Sequence, residues 1–322
     1  MQAVLAVTVP FFALVLAGYL AAQRRVLPES AIPGLNAYVL YFALPAMLFR
    51  FGSGTPLFDL LNPVVLAVWI VCALLIVFVT VVFTLGERVN LKDAAFGALV
   101  AAFPNTGFMG VPLLAALLGP AAAGPTISII LADLFVTSSL CIALAQAHDA
   151  SGHGARDAAL KTLHGTLANP LPWAIAAGAV FSVAGFSLPG PVDAVVKMLA
   201  DSATPVALFT IGAVLWRAGL HAHTRTPPAL VLPVAAIKLF LHPLLVFAVG
   251  AAAVALGAPL SGFQITVLTL AAALPSASNV SLLAERYGAD NGRVARIILA
   301  STAAAFVTFT LLASLFGVRP GS

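Results

Sequence analysis

The stretch FPNTGFMGVP, residues 103–112, has residue types that suit the binding of an anion rather than covalent chemistry. A proline inside a helix removes one hydrogen-bond donor and clashes with the preceding turn. The helix that restarts after such a break exposes free N–H groups and the positive end of its dipole, which together attract anions. Asparagine and threonine add side-chain donors, and glycine lets a ligand or another backbone approach closely. The candidate ligand-binding residues of this stretch are Pro104, Asn105, Thr106, Gly107, Gly110 and Pro112.

A second stretch, ALPSASNVSLLAERYG at 273–288, repeats the pattern with proline, serine and asparagine but without the glycines near its proline. Its candidate ligand-binding residues are Pro275, Ser276, Ser278 and Asn279. Proline also kinks membrane helices for packing alone, and asparagine and serine also join helices by hydrogen bonds. The occurrence of two breaks favours a binding site, and its predicted ligand is a small anion such as a carboxylate. The pattern leaves open whether the first break centres on Pro104 or on Pro112.

The elements that position these stretches must be membrane helices, because 61% of the 322 residues are hydrophobic and only 8% are charged. The net charge of +4 comes without a basic run or an aromatic platform, which excludes a nucleic-acid partner. About 20 apolar residues are needed to span a bilayer. Ten segments qualify, at 3–22, 33–51, 63–85, 93–117, 125–147, 168–186, 192–216, 229–256, 261–285 and 293–316.

The positive charges indicate the orientation of these segments. Eleven lysines and arginines fall in connections on one face, and only Arg50 and Arg319 fall on the other. The eleven are Arg24, Arg25, Arg88, Lys92, Arg156, Lys161, Arg217, Arg225, Arg286, Arg293 and Arg296. The charged face is therefore predicted to be cytoplasmic, and both termini are predicted to lie outside.

Short motifs recur in the same order along the two halves of the chain. The pairs are PAMLF at 45–49 with PVALF at 205–209, IILA at 129–132 with IILA at 297–300, and Pro104 with Pro275. Their offsets of 160, 168 and 171 residues indicate a duplicated five-helix unit. Because five is odd, the second copy enters the membrane inverted. The predicted fold is an all-α membrane protein of ten helices, with one repeat at 1–147, a cytoplasmic connecting loop at 148–167 and the second repeat at 168–322.

The sequence resembles the auxin efflux carrier family over essentially its whole length, in PNTGFMGVPLL (104–114), LPSASNVSLLAERYG (274–288), PAMLF and KLFLHPLL (238–245). This family includes plant auxin carriers and bacterial permeases for malate, malonate or other dicarboxylates. The resemblance implies a scaffold and a transport domain, crossing broken helices four and nine, and elevator-like movement. It also implies a carboxylate contact for Asn105. The short connecting loop and the PSASN segment differ from the plant pattern, which argues against auxin itself as the substrate.

Three ionisable residues inside the apolar segments are candidates for ion coupling or for contact with the anion. Asp133 stands alone in ISIILADLFVTSS, where it is a candidate proton carrier or cation ligand, or alternatively a packing or capping residue. Lys238 and His242 share one helix face. Lys238 could reach an interface, hold the anion or pair with Asp133.

The motifs of hydrolases, nucleotide-binding proteins and metalloenzymes are absent from the sequence, so we expect no enzyme activity, cofactor or metal. The predicted function is a secondary transporter, or permease, that moves a small organic anion such as malonate or malate across a bacterial inner membrane. The alternatives are a sodium-coupled anion symporter of the bile acid carrier type and a carrier of auxin-like aromatic acids. H⁺ and Na⁺ are the candidate coupling ions, and a homodimer is left open.

Overall fold

The computed structural model describes residues 1–147, 168–220 and 226–318. The predicted connecting loop at 148–167 lies outside the described residues, so its extent and cytoplasmic location stay predictions. The described residues form helices joined by short connections, and no strand occurs among them. This agrees with the all-α class expected from the composition.

The helical segments are numbered here in chain order. They are α1 (Gln2–Gln23), α2 (Glu29–Gly54), α3 (Leu57–Thr84), α4 (Leu91–Ala102), α5 (Thr106–Leu118), α6 (Pro120–Ala147), α7 (Pro170–Ala184), α8 (Gly190–Leu220), α9 (Pro228–Ala255), α10 (Gly262–Ala272), α11 (Val280–Arg286) and α12 (Asn291–Leu315).

Seven of these segments are long and apolar enough to cross a membrane within the described ranges, whereas ten were expected. The difference has two causes. The expected fourth and ninth segments are each divided in two, as α4 with α5 and α10 with α11. The expected sixth segment forms only the 15 residues of α7, because Gly185 takes a left-handed conformation (φ 64°) and ends the helix.

The helices pack mainly within two groups. In one group α1 packs along α8, and α2 packs against α7 and α8. In the other group α3 packs against α4, α6 and α9, while α10 packs against α9 and α12 packs against α9 and α11. Fewer contacts join the groups, chiefly through α12 and the start of α5.

Two close helix contacts in the first group depend on glycine. A Cβ atom on Gly212 of α8 would overlap the backbone of Val15, and one on Gly18 of α1 would overlap the backbone of Phe209. A Cβ atom on Gly178 of α7 would lie 2.5 Å from the carbonyl oxygen of Phe49 in α2. Small residues therefore let the helix backbones meet directly, as is common in membrane proteins.

Within the described ranges four π-helical turns widen the helices, and three of them end two residues before a proline. Val39–Ala43 precedes Pro45, Thr106–Gly110 precedes Pro112, and Ile237–Leu241 precedes Pro243. A proline lacks the donor for an i−4 bond and crowds that carbonyl, so the wider turn accommodates it. The fourth turn, Asp133–Thr137, is followed by a serine rather than a proline.

Arg293 differs from its expected place among the loop cations. It is only 2% exposed, and its guanidinium donates to the carbonyl oxygens of Leu230 (3.1 Å) and Asp93 (2.8 Å). Asp290 caps the same turn by accepting a bond from the Arg293 N–H at 2.9 Å. Arg293 thus ties the start of α12 to α4 and to the start of α9 instead of facing water.

Candidate functional site

The two predicted breaks meet in the structure and hydrogen-bond to each other. The Asn105 N–H donates to the Pro275 carbonyl oxygen at 2.8 Å, and the Ala277 N–H donates to the Phe103 carbonyl oxygen at 3.0 Å. Pro104 and Ser276 form an antiparallel bridge between these bonds. We call residues 103–110 the first break, residues 273–279 the second break, and their meeting point the crossing. Each break thereby supplies partners for backbone groups that the other leaves unpaired, as burial requires.

The first break turns the chain sharply at Asn105. This residue has φ −77° and ψ 54°, the values of an inverse γ-turn, and the Thr106 N–H bonds to the Pro104 carbonyl at 2.8 Å. Asn105 occupies the capping position of α5, yet its side chain makes no capping bond. The side chain is buried, with 3% exposure, and its amide has no hydrogen-bond partner in the part of the chain that the structure describes. An amide placed in this way is available to a ligand.

The start of α5 leaves two backbone donors free beside that amide. The N–H groups of Met109 and Gly110 both bond to the Asn105 carbonyl oxygen, at 3.1 and 3.0 Å. Among the described residues, the N–H groups of Gly107 and Phe108 have no backbone acceptor, as expected for the first turn of a helix. A Cβ atom on Gly107 would meet no atom within 4 Å, so space adjoins these donors.

The structure places the first break at Pro104 and not at Pro112. Pro104 lies in the extended segment between α4 and α5, whereas Pro112 is the second residue of the regular helix Val111–Leu118. Thr106 is fully buried, and its hydroxyl makes a long 3.4 Å bond to the Pro104 carbonyl. Gly110 serves packing, because a Cβ atom there would lie 2.7 Å from Cδ1 of Leu274 in the second break.

The second break is held by side-chain bonds at Ser276. Its hydroxyl donates to the Val100 carbonyl of α4 at 2.6 Å, and its N–H donates to Ser301 Oγ of α12 at 3.2 Å. Ser301 Oγ also lies 3.2 Å from Ser276 Oγ. Ser276 is fully buried, so these bonds fix the break in place rather than leave donors for a ligand.

The other predicted residues of the second break have different surroundings. Pro275 contributes the carbonyl that binds Asn105. The Ser278 carbonyl accepts the Ser281 hydroxyl at 2.9 Å. Asn279 is half-buried at the capping position of α11, and its side chain makes no capping bond.

Two of the cavities in the described structure lie toward opposite ends of α2 and α8. The larger, of about 1000 Å³, lies between the first half of α2, the end of α8 and the segment around α11, and Ser281 is part of its wall. The smaller, of about 480 Å³, lies between the second half of α2, the middle of α8 and α5. Arg50, Pro112 and Asp201 line the smaller cavity.

Asp133 lies in a polar cluster on the second group of helices. Its Oδ1 accepts bonds from Trp69 Nε1 of α3 at 2.9 Å and from Thr137 Oγ1 at 3.0 Å. The Ser138 hydroxyl donates to the Asp133 carbonyl at 2.9 Å, which supports the π-helical turn. Asp133 is fully buried, and its Oδ2 has no partner among the described residues.

Lys238 and His242 lie beside this cluster on α9. The Lys238 ammonium donates to the carbonyl oxygen of Ala272, the last residue of α10, at 2.6 Å, and lies 3.3 Å from His242 Nδ1. Both side chains are fully buried, so Lys238 does not reach an interface. The Lys238 charge acts on Asp133, although no ion pair within 4 Å joins the two in the described structure. The His242 ring packs against the Trp69 ring, with 5.2 Å between the two ring centroids.

Two residues at these sites were missed by the sequence reasoning. Trp69 could have been expected near an acceptor, because a buried indole N–H usually finds one. Ser301 could have been found from the repeat, because it follows the second IILA as Asp133 follows the first.

Comparison with known proteins identifies the family. The family model described as "Membrane transport protein" matches residues 3–313, which is nearly the whole chain. The chain belongs to this membrane transport family. The match confirms the resemblance to auxin efflux carriers that the fourth and ninth segments indicated.

The curated relatives of this membrane transport family member also match it over most or all of its length. A protein of Rhizobium meliloti named "Putative malonate transporter" is 29% identical over 327 residues, covering 100% of this chain and 98% of the relative. "Uncharacterized transporter YfdV" of Escherichia coli K12 is 27% identical, covering 86% of both chains. An "Uncharacterized transporter" of Methanothermobacter thermautotrophicus is 26% identical, covering 92% of this chain and 93% of the relative. The protein is therefore an integral membrane transporter rather than a member of an enzyme family.

Proposed function

We propose that this chain is a secondary transporter that carries a small organic anion, a mono- or dicarboxylate, across the bacterial inner membrane by alternating access. The observation that carries the proposal is the first break at the crossing. There the Asn105 amide and the N–H groups of Gly107 and Phe108 follow one another along the chain without protein acceptors in the described structure. These donors match the oxygen atoms of a carboxylate, and hydrogen bonds to a charged group are roughly twice as strong as neutral ones.

The inverted repeat is supported by the glycine contacts of the first group. Gly178 lies 160 residues after Gly18, and Gly212 lies 160 residues after Gly52, the same offset as between PAMLF and PVALF. In space the partners are exchanged, since Gly18 and Gly212 serve the α1–α8 contact while Gly52 and Gly178 serve the α2–α7 contact. Exchange of partners is what a two-fold pseudo-symmetry between two copies produces. This favours the ten-helix inverted plan with α4–α5 and α10–α11 as its broken members.

The two groups of helices suit the two parts of an elevator. The group of α1, α2, α7 and α8 would be the scaffold, and the group that carries the crossing would move against it. The larger cavity contains Lys92 and Arg217, which the charge pattern assigns to the cytoplasmic side. We infer that the structure represents a state open toward the cytoplasm, with both termini outside.

Malonate is the first candidate substrate, because the relative from Rhizobium meliloti carries that name along its whole length. Malate and other short dicarboxylates carry the same carboxylate groups and are the next candidates.

The test is binding of malonate, malate and acetate to the purified protein, with malonamide as the uncharged analogue of malonate. We expect at least one carboxylate to raise the unfolding temperature and malonamide to have no effect. Asn105→Ala should weaken binding roughly 10- to 100-fold, since a hydrogen bond to a charged group contributes about 1.5–3 kcal/mol. Asn105→Asp should abolish it by charge repulsion.

Asn169→Asp is the matched control for Asn105→Asp. Asn169 caps α7 by accepting a bond from the Leu171 N–H at 3.0 Å, and aspartate caps equally well. This variant should bind like the parent. The proposal fails if no carboxylate binds, or if Asn105→Ala keeps the affinity of the parent.

A further inference from the structure

The cluster around Asp133 shares no hydrogen-bond partner with Asn105 in the described structure, and its composition suits a cation. Asp133 brings a fully buried carboxylate with one oxygen bound by Trp69 and Thr137 and the other oxygen free of any partner in the described ranges. Burial of such an oxygen without a partner is costly, because the carboxylate loses the hydrogen bonds that bulk water would give it. The free oxygen thus marks the place where a cation would bind.

The C-terminal end of α10, which would attract an alkali ion, is already occupied by a side chain. The C-terminal end of a helix carries unpaired carbonyls and partial negative charge, which attract cations. At the end of α10 the Lys238 ammonium lies 2.6 Å from the Ala272 carbonyl. This ammonium is held by the fold itself, so the end of α10 needs no dissolved Na⁺.

The ionisable groups that face Asp133 come from few elements. On α9 they are Lys238 and His242, and on α6 itself the neighbour is Cys141. From α3 the contact is the uncharged Trp69. The charged residues of α4, Lys92 and Asp93, line the large cavity.

We propose that Asp133 is a proton-coupling site, at which Oδ2 takes up one proton when the anion binds and releases it when the anion leaves. This proposal rests on the proposed function, because it supplies the coupling ion of the anion carrier. The bond formed is Oδ2–H, and the proton comes from water on the side of entry and returns to water on the other side. Lys238 is the positioning residue that takes the place of an alkali cation at the end of α10.

The sign of the coupling follows from electrostatics. An ionised Asp133 repels an anion at the crossing, whereas a protonated Asp133 leaves the positive charge of Lys238 to attract it. Proton and anion therefore favour each other's binding, and this coupling is reciprocal. The proton moves in the same direction as the anion.

The first test uses the parent protein in liposomes that contain a pH-sensitive dye. Labelled malonate is added outside without a pH gradient, and protein-free liposomes give the background. We expect malonate entry to acidify the lumen, and its rate to be the same in NaCl and in KCl. Malonate entry without acidification, or entry that requires Na⁺, overturns the proposal.

The second test separates this proposal from the proposed function. Asp133→Asn imitates the protonated state, so it should keep the exchange of external for internal malonate. Its accumulation of malonate under an imposed pH gradient should be at least 10-fold lower than that of the parent. Glu87→Gln, at an exposed position after α3, is the matched control and should keep both activities. Unchanged gradient-driven accumulation by Asp133→Asn refutes the coupling role. Absence of malonate exchange in the parent protein would instead count against the proposed substrate.

The third test concerns Lys238. Lys238→Met should lower the rate of gradient-driven uptake at least 10-fold, and Lys238→Arg should restore part of it. Lys197→Met, at an exposed position of α8, should have no effect. If Lys238→Met takes up malonate at the rate of the parent, the role proposed for the Lys238 ammonium is wrong.

Discussion

The two breaks begin from related sequence patterns but use their polar groups differently. In the first break the Asn105 amide and the N–H groups of Gly107 and Phe108 have no partners within the described structure. In the second break Ser276 binds both Val100 and Ser301 and is fully buried. Both breaks thus have an interrupted backbone, but the polar residue after each proline is used differently. The Asn105 amide has no partner in the described structure, whereas Ser276 is bonded within the fold. The difference teaches that a matching break need not be a matching binding site.

The largest effect that tests this contrast is the loss of stability expected when Ser276 is replaced by alanine. Ser276→Ala removes the donor to the Val100 carbonyl and leaves that buried oxygen and Ser301 Oγ with fewer partners. We expect a loss of about 2 kcal/mol in the free energy of unfolding, measured by chemical unfolding in detergent. Malonate affinity per folded molecule should change little. A large loss of affinity at unchanged stability would show that the second break also binds the ligand.

The next effect comes from the two glycines of the first break. Gly110→Ala places a methyl group against Leu274 Cδ1, which should cost about 1–2 kcal/mol of stability. Gly107→Ala places a methyl group in open space beside the free donors, so stability should hold while malonate affinity falls roughly tenfold. Thermal unfolding and binding measurements on both variants check this. The assignment of Gly107 to the ligand fails if its variant binds malonate normally.

The smallest effect is expected at Asn279. Its side chain is half-buried and makes no capping bond, so Asn279→Ala should change both stability and affinity by less than about 0.5 kcal/mol. The same two measurements apply. A tenfold loss of affinity here would extend the binding site to α11.

Sequence reasoning found the breaks because proline, glycine and asparagine act locally on the backbone. Pro104 and Pro275 were expected in interrupted helices, and both lie in extended segments at the crossing. The choice between Pro104 and Pro112 could not be made from the sequence, because a π-helical turn lets Pro112 remain within a helix. Such a turn depends on packing around it and leaves no regular pattern in the sequence.

The division of roles between the breaks also depended on contacts that the sequence does not show. Asn105 and Ser276 looked equivalent as polar residues that follow a proline. Only the approach of α4 and α12 to Ser276, separated from it by 176 and 25 residues, distinguishes them. Similarly, Lys238 had three candidate roles until the chain brought it to Ala272, 34 residues away. Contacts over such distances are set by tertiary packing and not by local pattern.

The most direct test of the central claim is the position of a bound carboxylate. Crystals grown with 2-bromomalonate would show the bromine by its anomalous scattering. We predict the peak at the first break, beside the Asn105 amide and the N–H groups of Gly107 and Phe108. A peak elsewhere, for example in the smaller cavity beside Arg50, with nothing at Asn105, would contradict the account.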